Sequence, residues 1–564
     1  MTRASAAALV VVALSAGLAL RLARLDSRPM HHDEANQAVK FGALVERGDY
    51  RYDTHDHHGP TLYYFTLPSA WLRDQTTLAA LDETTVRLVP VAFGAATILL
   101  FPLLGPGIGR TAAAAGALLT AVSPAMVYYS RMYIQESLFA CFTLAFVMAL
   151  GRAVTEPGVR WPLLAGVAAG LAMATKETSV IVLPAAVVAV QLARSIRVRA
   201  DPVRLKPDTT WRTGLFVGIL TAATVAALFY SAFLTDPTGV LGPLRAASTY
   251  VDRGVAPTTH VQPWHYYLGL LWWSTSGGLR WTEAAVVVLA IVGIGAAIRP
   301  ARHDGAAARR HPSTSSGWPE ALEGHEDALQ DRVFWTRYFA LYAVLATAAF
   351  SVIPYKTPWN LLPFYIGILV LAGIGFSAVY ERCSRKGSVR LEPDAPHEHS
   401  FAPRLMRAGL TLLLLAASAH LGWQAWRASV TYGADPRNPY VYAHTVPDAV
   451  RMAHRIRELA SLHPDGARMQ VSVIAPAHEQ WPLPWYLRAM PNVGYWPEPG
   501  DPTAAGAPVI VSGIAGTEHL DAALGEAYVS EFFGVRPDVL LALYIDRGLW
   551  DRFLARAADE GGTP

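Results

Sequence analysis

From Val86 to Gly151 the chain carries only four charged residues, Arg87, Arg110, Arg131 and Glu136, and from Trp161 to Ala193 only Lys176 and Glu177. Stretches this poor in charge suit a lipid solvent, because a helix needs roughly 20 mostly apolar residues to cross the hydrocarbon core. The pattern predicts about eleven such spans, at 5–24, 86–104, 111–130, 135–153, 161–175, 178–194, 214–234, 281–298, 333–353, 359–380 and 406–426. The 161–194 region reads either as two short helices broken at Lys176-Glu177 or as one span with a re-entrant piece. The apolar segment near Met1 reads as an uncleaved first span rather than a signal peptide, since no small-residue cleavage site follows it.

Composition agrees. Charged residues make up 16 % of the 564 and hydrophobic ones 52 %, against ~25 % charged for a soluble chain. A net charge of +3 is too balanced for bulk binding to nucleic acid, and two cysteines exclude a disulfide scaffold. Basic residues collect in three loops, around Arg194–Arg212, Arg299–Arg310 and Arg382–Arg407. The positive-inside rule places these loops and the N-terminus in the cytoplasm, although Arg21 and Arg24 then lie on the wrong side. The expected location is the inner (plasma) membrane, multi-pass, with external loops 25–85 and 235–280. Residues 1–428 form the membrane part. Beyond Ser429 short apolar runs at 470–476, 507–513 and 539–545 alternate with helical patterns at 446–462 and 517–528. They predict a small extracytoplasmic α/β domain over 429–564.

Three sites bring polar chemistry to the external ends of the spans. The first loop opens with Met30-His31-His32-Asp33-Glu34. Asp33 and Glu34 either act as acid–base groups beside the membrane or cap the following helix. Arg131 and Glu136 enter the fourth span; Glu136 is either functional or ion-paired to Arg131. Lys356, between Pro354 and Pro358, either binds an anionic phosphate or belongs to an interfacial belt with Tyr355 and Trp359. Loop one adds His55, His57, His58 and Tyr63, enough donors for a divalent cation near Asp33, His55 and His57, or plain polar surface. The Tyr- and Trp-rich loop 235–280 either stacks on sugar rings or lies flat at the interface. No P-loop, dinucleotide fingerprint or Gly-x-Ser-x-Gly elbow is present.

The first span, the His-x-Asp-Glu motif ending in Asp33-Glu34, the long external loop and the acidic position at Glu136 resemble the polytopic GT-C glycosyltransferases. Within them the chain looks like the protein mannosyltransferase-like group, glycosyltransferase family 39, and the branch called flippase activity-associated proteins. The resemblance implies a hexosyltransferase that takes sugar from a polyprenyl-phosphate donor and passes it to a protein or glycan acceptor on the outer face. It implies Asp33 as base, with Glu34 and Glu136 as further catalytic carboxylates. Gln135-Glu136 stands where an Asp-Glu pair is common, which weakens a two-carboxylate metal arrangement. Arg131, Lys356, His32, His57, His58 and Tyr63 are the expected substrate-binding residues. A lipid-linked glycan translocase, or an accessory subunit of one, is the alternative; carboxylates at span ends rather than within spans favour the transferase.

Overall fold

The computed structural model describes residues 1–54, 58–196, 210–245, 260–298, 318–385, 401–498 and 506–559. Among the described residues, seven helices are long and apolar enough to cross a membrane: α1 (Arg3–Leu22), α4 (Glu83–Ile108), α7 (Glu136–Thr155), α10 (Thr210–Tyr230), α13 (Trp318–Val352), α14 (Leu362–Arg385) and α15 (Phe401–Trp426). Four shorter apolar helices stand among them: α5 (Arg110–Val122), α8 (Arg160–Met173), α9 (Ser179–Ser195) and α12 (Ala284–Ile298). Each coincides with an expected span, and the protein is a multi-pass membrane protein. The span expected over 111–130 is interrupted: α5 stops at Ser123 and Pro124 starts a separate helix, α6 (Pro124–Tyr129), as a proline without an N–H restarts a helix at its first position. The 161–194 region resolves into α8 and α9, with Lys176-Glu177 in the break.

α14 and α7 are buried at the centre, whereas α1, α10 and α15 turn most of their surface outward. Close crossings rest on glycine. A Cβ on Gly375 or Gly293 would overlap the facing backbone carbonyl of α12 or α14, Leu289 or Leu371 respectively. Without a hydrophobic driving force in lipid, such small-residue contacts hold helices together through dispersion.

One end of the bundle gathers basic side chains. Arg337 donates to the carbonyls of Ala297 and Ile196, Arg332 pairs with Glu381, and Arg407 lies over Tyr380. The opposite end carries α2 (His32–Arg47) and α3 (Thr61–Leu72), the α6–α7 junction, the α8–α9 break, α11 (Tyr266–Trp272) and the hairpin β1 (Ser274–Ser276)–β2 (Leu279–Trp281). Arg21 is no loop charge: it is buried and donates to the carbonyls of Gly17, Ala121 and Thr120, tying α1 to α5. Its place at that end is therefore a packing requirement rather than a topological signal.

The C-terminal part adds α16 (Pro447–Leu462), α17 (Thr517–Leu524), α18 (Arg547–Asp559) and a five-stranded sheet. The strands are β3 (Val471–Ile474), β4 (Val493–Trp496), β5 (Val509–Gly513), β6 (Tyr528–Arg536) and β7 (Val539–Asp546), in the order β4-β3-β5-β7-β6. β3 runs parallel to β4 and β5, while β7 is antiparallel to β5 and β6. β3, β5 and β7 are the apolar runs of the sequence. β4 and β6 are half exposed and lack a continuous apolar signal.

This part docks on the α2 end of the bundle. Tyr486 accepts a hydrogen bond from the Met30 amide (2.7 Å), Trp485 donates to Glu83 (2.8 Å), and Tyr128 and Tyr129 donate to the carbonyls of Gly433 and Tyr440. Glu283, fully buried, accepts from Ser123, the Ala125 amide, Tyr365 and Tyr440. One carboxylate thus joins the entry of α12, the N-terminus of α6, α14 and the C-terminal part.

Candidate active site

α2 begins with a reciprocal cap. The His31 ring accepts from the Asp33 amide through Nδ1 (3.0 Å), and the Glu34 carboxylate accepts from the His31 amide (3.0 Å). With Nδ1 accepting, Nε2 carries the proton and donates to the Tyr442 carbonyl (3.0 Å). The cap sends the two acidic side chains to different places.

Glu34 points inward. It is fully buried and accepts from Arg87 (2.8 and 3.1 Å), Arg28 (3.2 Å) and the Tyr133 amide (2.8 Å). Burial pushes its carboxyl up, but the two guanidinium groups and these hydrogen bonds hold it well below the carboxylate range. Every lone pair is occupied, so the expected catalytic role is replaced by a structural one: Glu34 locks α2 to α4 and to the α6–α7 junction.

Asp33 points outward. Its side chain keeps 42 % exposure, so the carboxylate is reachable from solvent. Burial pushes its carboxyl up; the basic neighbours His31, His32, His58 and Lys176 outweigh this, and the net shift is downward. Asp33 in turn acts on His260 and Arg536. Six basic side chains from five separate segments therefore face one carboxylate.

Local structure explains each of these positions. A Cβ on Gly59 would overlap the Ala174 carbonyl, so only glycine lets the first loop pass over the α8–α9 break. The Thr61 amide then bonds to the same carbonyl (3.2 Å), and His58 meets Glu177 (2.7 Å). Lys176, buried in that break, pairs with Glu136 and donates to Asn360 (2.8 Å). In the C-terminal sheet, β6 shifts register between Gly534 and Arg536, and such a bulge re-aims a side chain. Arg536 donates to the His32 ring (2.8 Å) and the His478 carbonyl (2.7 Å). Above these, the Trp359 ring packs on His31 (5.6 Å) and Tyr442 (5.9 Å), and Tyr442 bonds to His260 (2.6 Å).

Several expectations need correction. Glu136 pairs with Lys176, not with Arg131. Arg131 donates to the carbonyls of Leu20, Arg21 and Arg24 at the end of α1, which takes it out of substrate contact. Lys356 is buried, with its ammonium on the carbonyls of Gln262 and Ile353; it braces the loop beside His260 and is not free for a phosphate. Tyr63 is core, its hydroxyl bonded to Gln37. His55 and His57 lie outside the described residues, and among the described residues no group of three or more His, Cys, Asp or Glu could hold a metal. His32 bonds to Arg536 and His58 to Glu177.

Lys176, Glu177, Asn360, His260 and Arg536 are not among the expected catalytic or substrate-binding residues, although His260 belongs to the Tyr- and Trp-rich loop. Lys176-Glu177 carried a signal, being the lone charges in an apolar stretch that cannot be buried without partners or a function. Arg536 carried none.

A family model described as dolichyl-phosphate-mannose-protein mannosyltransferase matches residues 67–201, from within α3 to just beyond α9. The structure superposes on the crystal structure of ArnT from Cupriavidus metallidurans bound to undecaprenyl phosphate, with a TM-score of 0.61 and 15 % identity over 97 % of this chain and 99 % of that one. The chain has the GT-C fold. The archaeal oligosaccharyltransferase AglB from Archaeoglobus fulgidus, in complex with an inhibitory peptide and a dolichol-phosphate, gives a TM-score of 0.54 and 13 % identity over 97 % of this chain and 77 % of that one. No curated protein matches in sequence. At these identities the GT-C likeness is one of fold. The site residues are argued from this chain's own geometry.

Proposed function

We propose that this protein is a membrane glycosyltransferase that moves a hexose from a polyprenyl-phosphate donor to an acceptor hydroxyl, with Asp33 as general base and inversion at the anomeric carbon. The observation that carries the proposal is the Asp33 carboxylate, still 42 % exposed at the start of α2 and surrounded by basic side chains that favour its ionised form. Two neighbours in fold are described with undecaprenyl phosphate and dolichol-phosphate bound, which supports a lipid-phosphate donor here.

In the reaction the acceptor oxygen attacks the anomeric carbon and gives its proton to Asp33. The bond from that carbon to the phosphate oxygen breaks, and the polyprenyl phosphate leaves with the electron pair. A base on one face of the sugar and the leaving group on the other give inversion. Negative charge grows on the leaving phosphate, and fixed cations stabilise it without reorganisation. Arg536 takes this role in place of Arg131 and Lys356, His58 and His32 assist, and Lys176, buried on Glu136 and Asn360, adds its field from behind. Glu136 is a positioning residue for Lys176.

The cavity lies at the end opposite the basic cluster around Arg332, Arg337 and Arg407, and by the positive-inside rule that end is extracytoplasmic. We place the N-terminus in the cytoplasm and residues 429–564 outside, as a separate unit that completes the cavity with Tyr442 and Arg536. The acceptor is a protein or glycan hydroxyl on that face.

The test is transfer itself. Purified protein in liposomes receives radiolabelled polyprenyl-phosphate hexose and membrane extract as acceptor source. Label moves to a new product with the native chain and stays on the lipid with Asp33→Asn, whose elution profile remains native. Label that crosses the bilayer without transfer overturns the proposal in favour of a translocase, and full activity of Asp33→Asn removes Asp33 from the mechanism.

A further inference from the structure

Away from the Asp33 cavity, a cleft of about 360 Å³ opens between the β1–β2 hairpin and the C-terminal turns of α15. Trp273, Arg280, His420, Trp423, Gln424 and Arg427 line it. The Arg427 guanidinium stacks over Trp423 (4.6 Å), Trp281 (5.0 Å) and Tyr432 (5.3 Å). Neither Arg427 nor Arg280 has a carboxylate within ion-pair distance among the described residues. The nearby Asp435 is already taken by Arg437 (2.7 Å). Gln424 bonds both the amide and the carbonyl of Thr282 (2.9 and 3.1 Å), which fixes hairpin and helix as a rigid frame.

The helix below the cleft is patterned to match. Leu405, Leu412, Ala416, His420, Trp423 and Arg427 follow one another at spacings of three, four or seven, and so share one face of α15. Leu405 and Leu412 are 60 % and 65 % exposed, and Trp423 is 54 % exposed. Trp264, Trp272 and Trp273 are also more than half exposed on the adjoining segment. Exposed tryptophans mark the headgroup level of a bilayer. An apolar track thus climbs α15 to that level and ends at two unpaired guanidinium groups.

We propose that this cleft binds the phosphodiester headgroup of an anionic glycerophospholipid, whose acyl chain lies along the Leu405–Leu412 face of α15. Arginine is the side chain suited to phosphate at such a site, since its planar fork is weakly hydrated and donates two parallel hydrogen bonds. The stacking on three rings holds Arg427 in place before the lipid arrives. The site is independent of the glycosyl-transfer reading, because none of its residues lines the Asp33 cavity.

The test uses full-length protein in detergent, titrated with dioleoylphosphatidylglycerol or dioleoylphosphatidylcholine and read by native mass spectrometry. The native chain retains phosphatidylglycerol over phosphatidylcholine. Arg280→Gln and Arg427→Gln each weaken phosphatidylglycerol binding by about fivefold and leave phosphatidylcholine unchanged, and millimolar inorganic phosphate does not compete. Equal binding of the two lipids by the native chain overturns the proposal, as does unchanged phosphatidylglycerol binding by the Arg280→Gln variant, whose hairpin side chain is exposed and free of packing duties. Competition by inorganic phosphate assigns the cleft to a free anion and overturns the lipid.

Discussion

At Asp33 burial and charge act in opposite directions, and charge wins. The sign sets the pH profile. A lowered carboxyl stays ionised as pH falls, so the base persists through pH ~5 and is lost only below the ordinary Asp range near ~3.9. Lys176→Gln keeps hydrogen-bonding atoms for Glu136 and Asn360 but removes the ammonium from among the basic neighbours of Asp33, so the acid limb of kcat/KM moves to higher pH. An unmoved limb would show that Lys176 does not act on Asp33. Glu34 gives the contrasting case. Arg87→Ala leaves a buried carboxylate short of its main partner, and such losses cost about 3–5 kcal/mol; thermal melts in detergent should show the variant strongly destabilised. Glu34→Gln probes the same latch: it should lower stability while leaving residual transfer in whatever fraction folds.

At the scale of elements, the site depends on how the first loop crosses the α8–α9 break. Gly59→Ala forces a methyl into the Ala174 carbonyl, a strain of about 1–3 kcal/mol. The loop must lift, which separates His58 from Glu177 and opens the cover of Lys176. The expected outcome is a raised KM for the lipid donor with the bundle still folded, measured against Gly409→Ala, where no neighbouring atom meets the added methyl. The broken span and the short helices α8 and α9 follow the same logic, since irregular backbone at membrane depth is tolerated where it lines a cavity.

For the whole molecule, the C-terminal sheet touches the Asp33 end of the bundle and, in the proposed reading, completes the site. Arg536 reaches His32 from β6, and the carbonyl of Tyr442 receives the His31 proton. A chain ending at residue 428 would leave the hydroxyls of Tyr128 and Tyr129 without their carbonyl acceptors at Gly433 and Tyr440. It should lose transfer completely even where the helices insert. Adding residues 429–564 as a separate chain and recovering activity would show that the interface forms without covalent linkage. Arg536→Gln should lower kcat more than binding of the lipid phosphate itself, because its charge is needed most as the phosphate departs.

The local pattern of the chain by itself determined the membrane helices and the three buried strands of the C-terminal part. Apolar runs and alternation are properties of neighbouring residues, and a lipid solvent enforces them strictly. Which polar groups serve the site was decided only by the tertiary structure. Asp33 and Glu34 are adjacent in sequence, yet the cap of α2 turns one into the cavity and the other onto two arginines. Arg131 and Lys356 looked available and are consumed by backbone carbonyls, whereas a helix break brings Lys176 to Glu136 and Asn360 and a β-bulge brings Arg536 to His32. Burial obliges each polar group to find a partner, and those partners lie far away along the chain, where no local pattern records them.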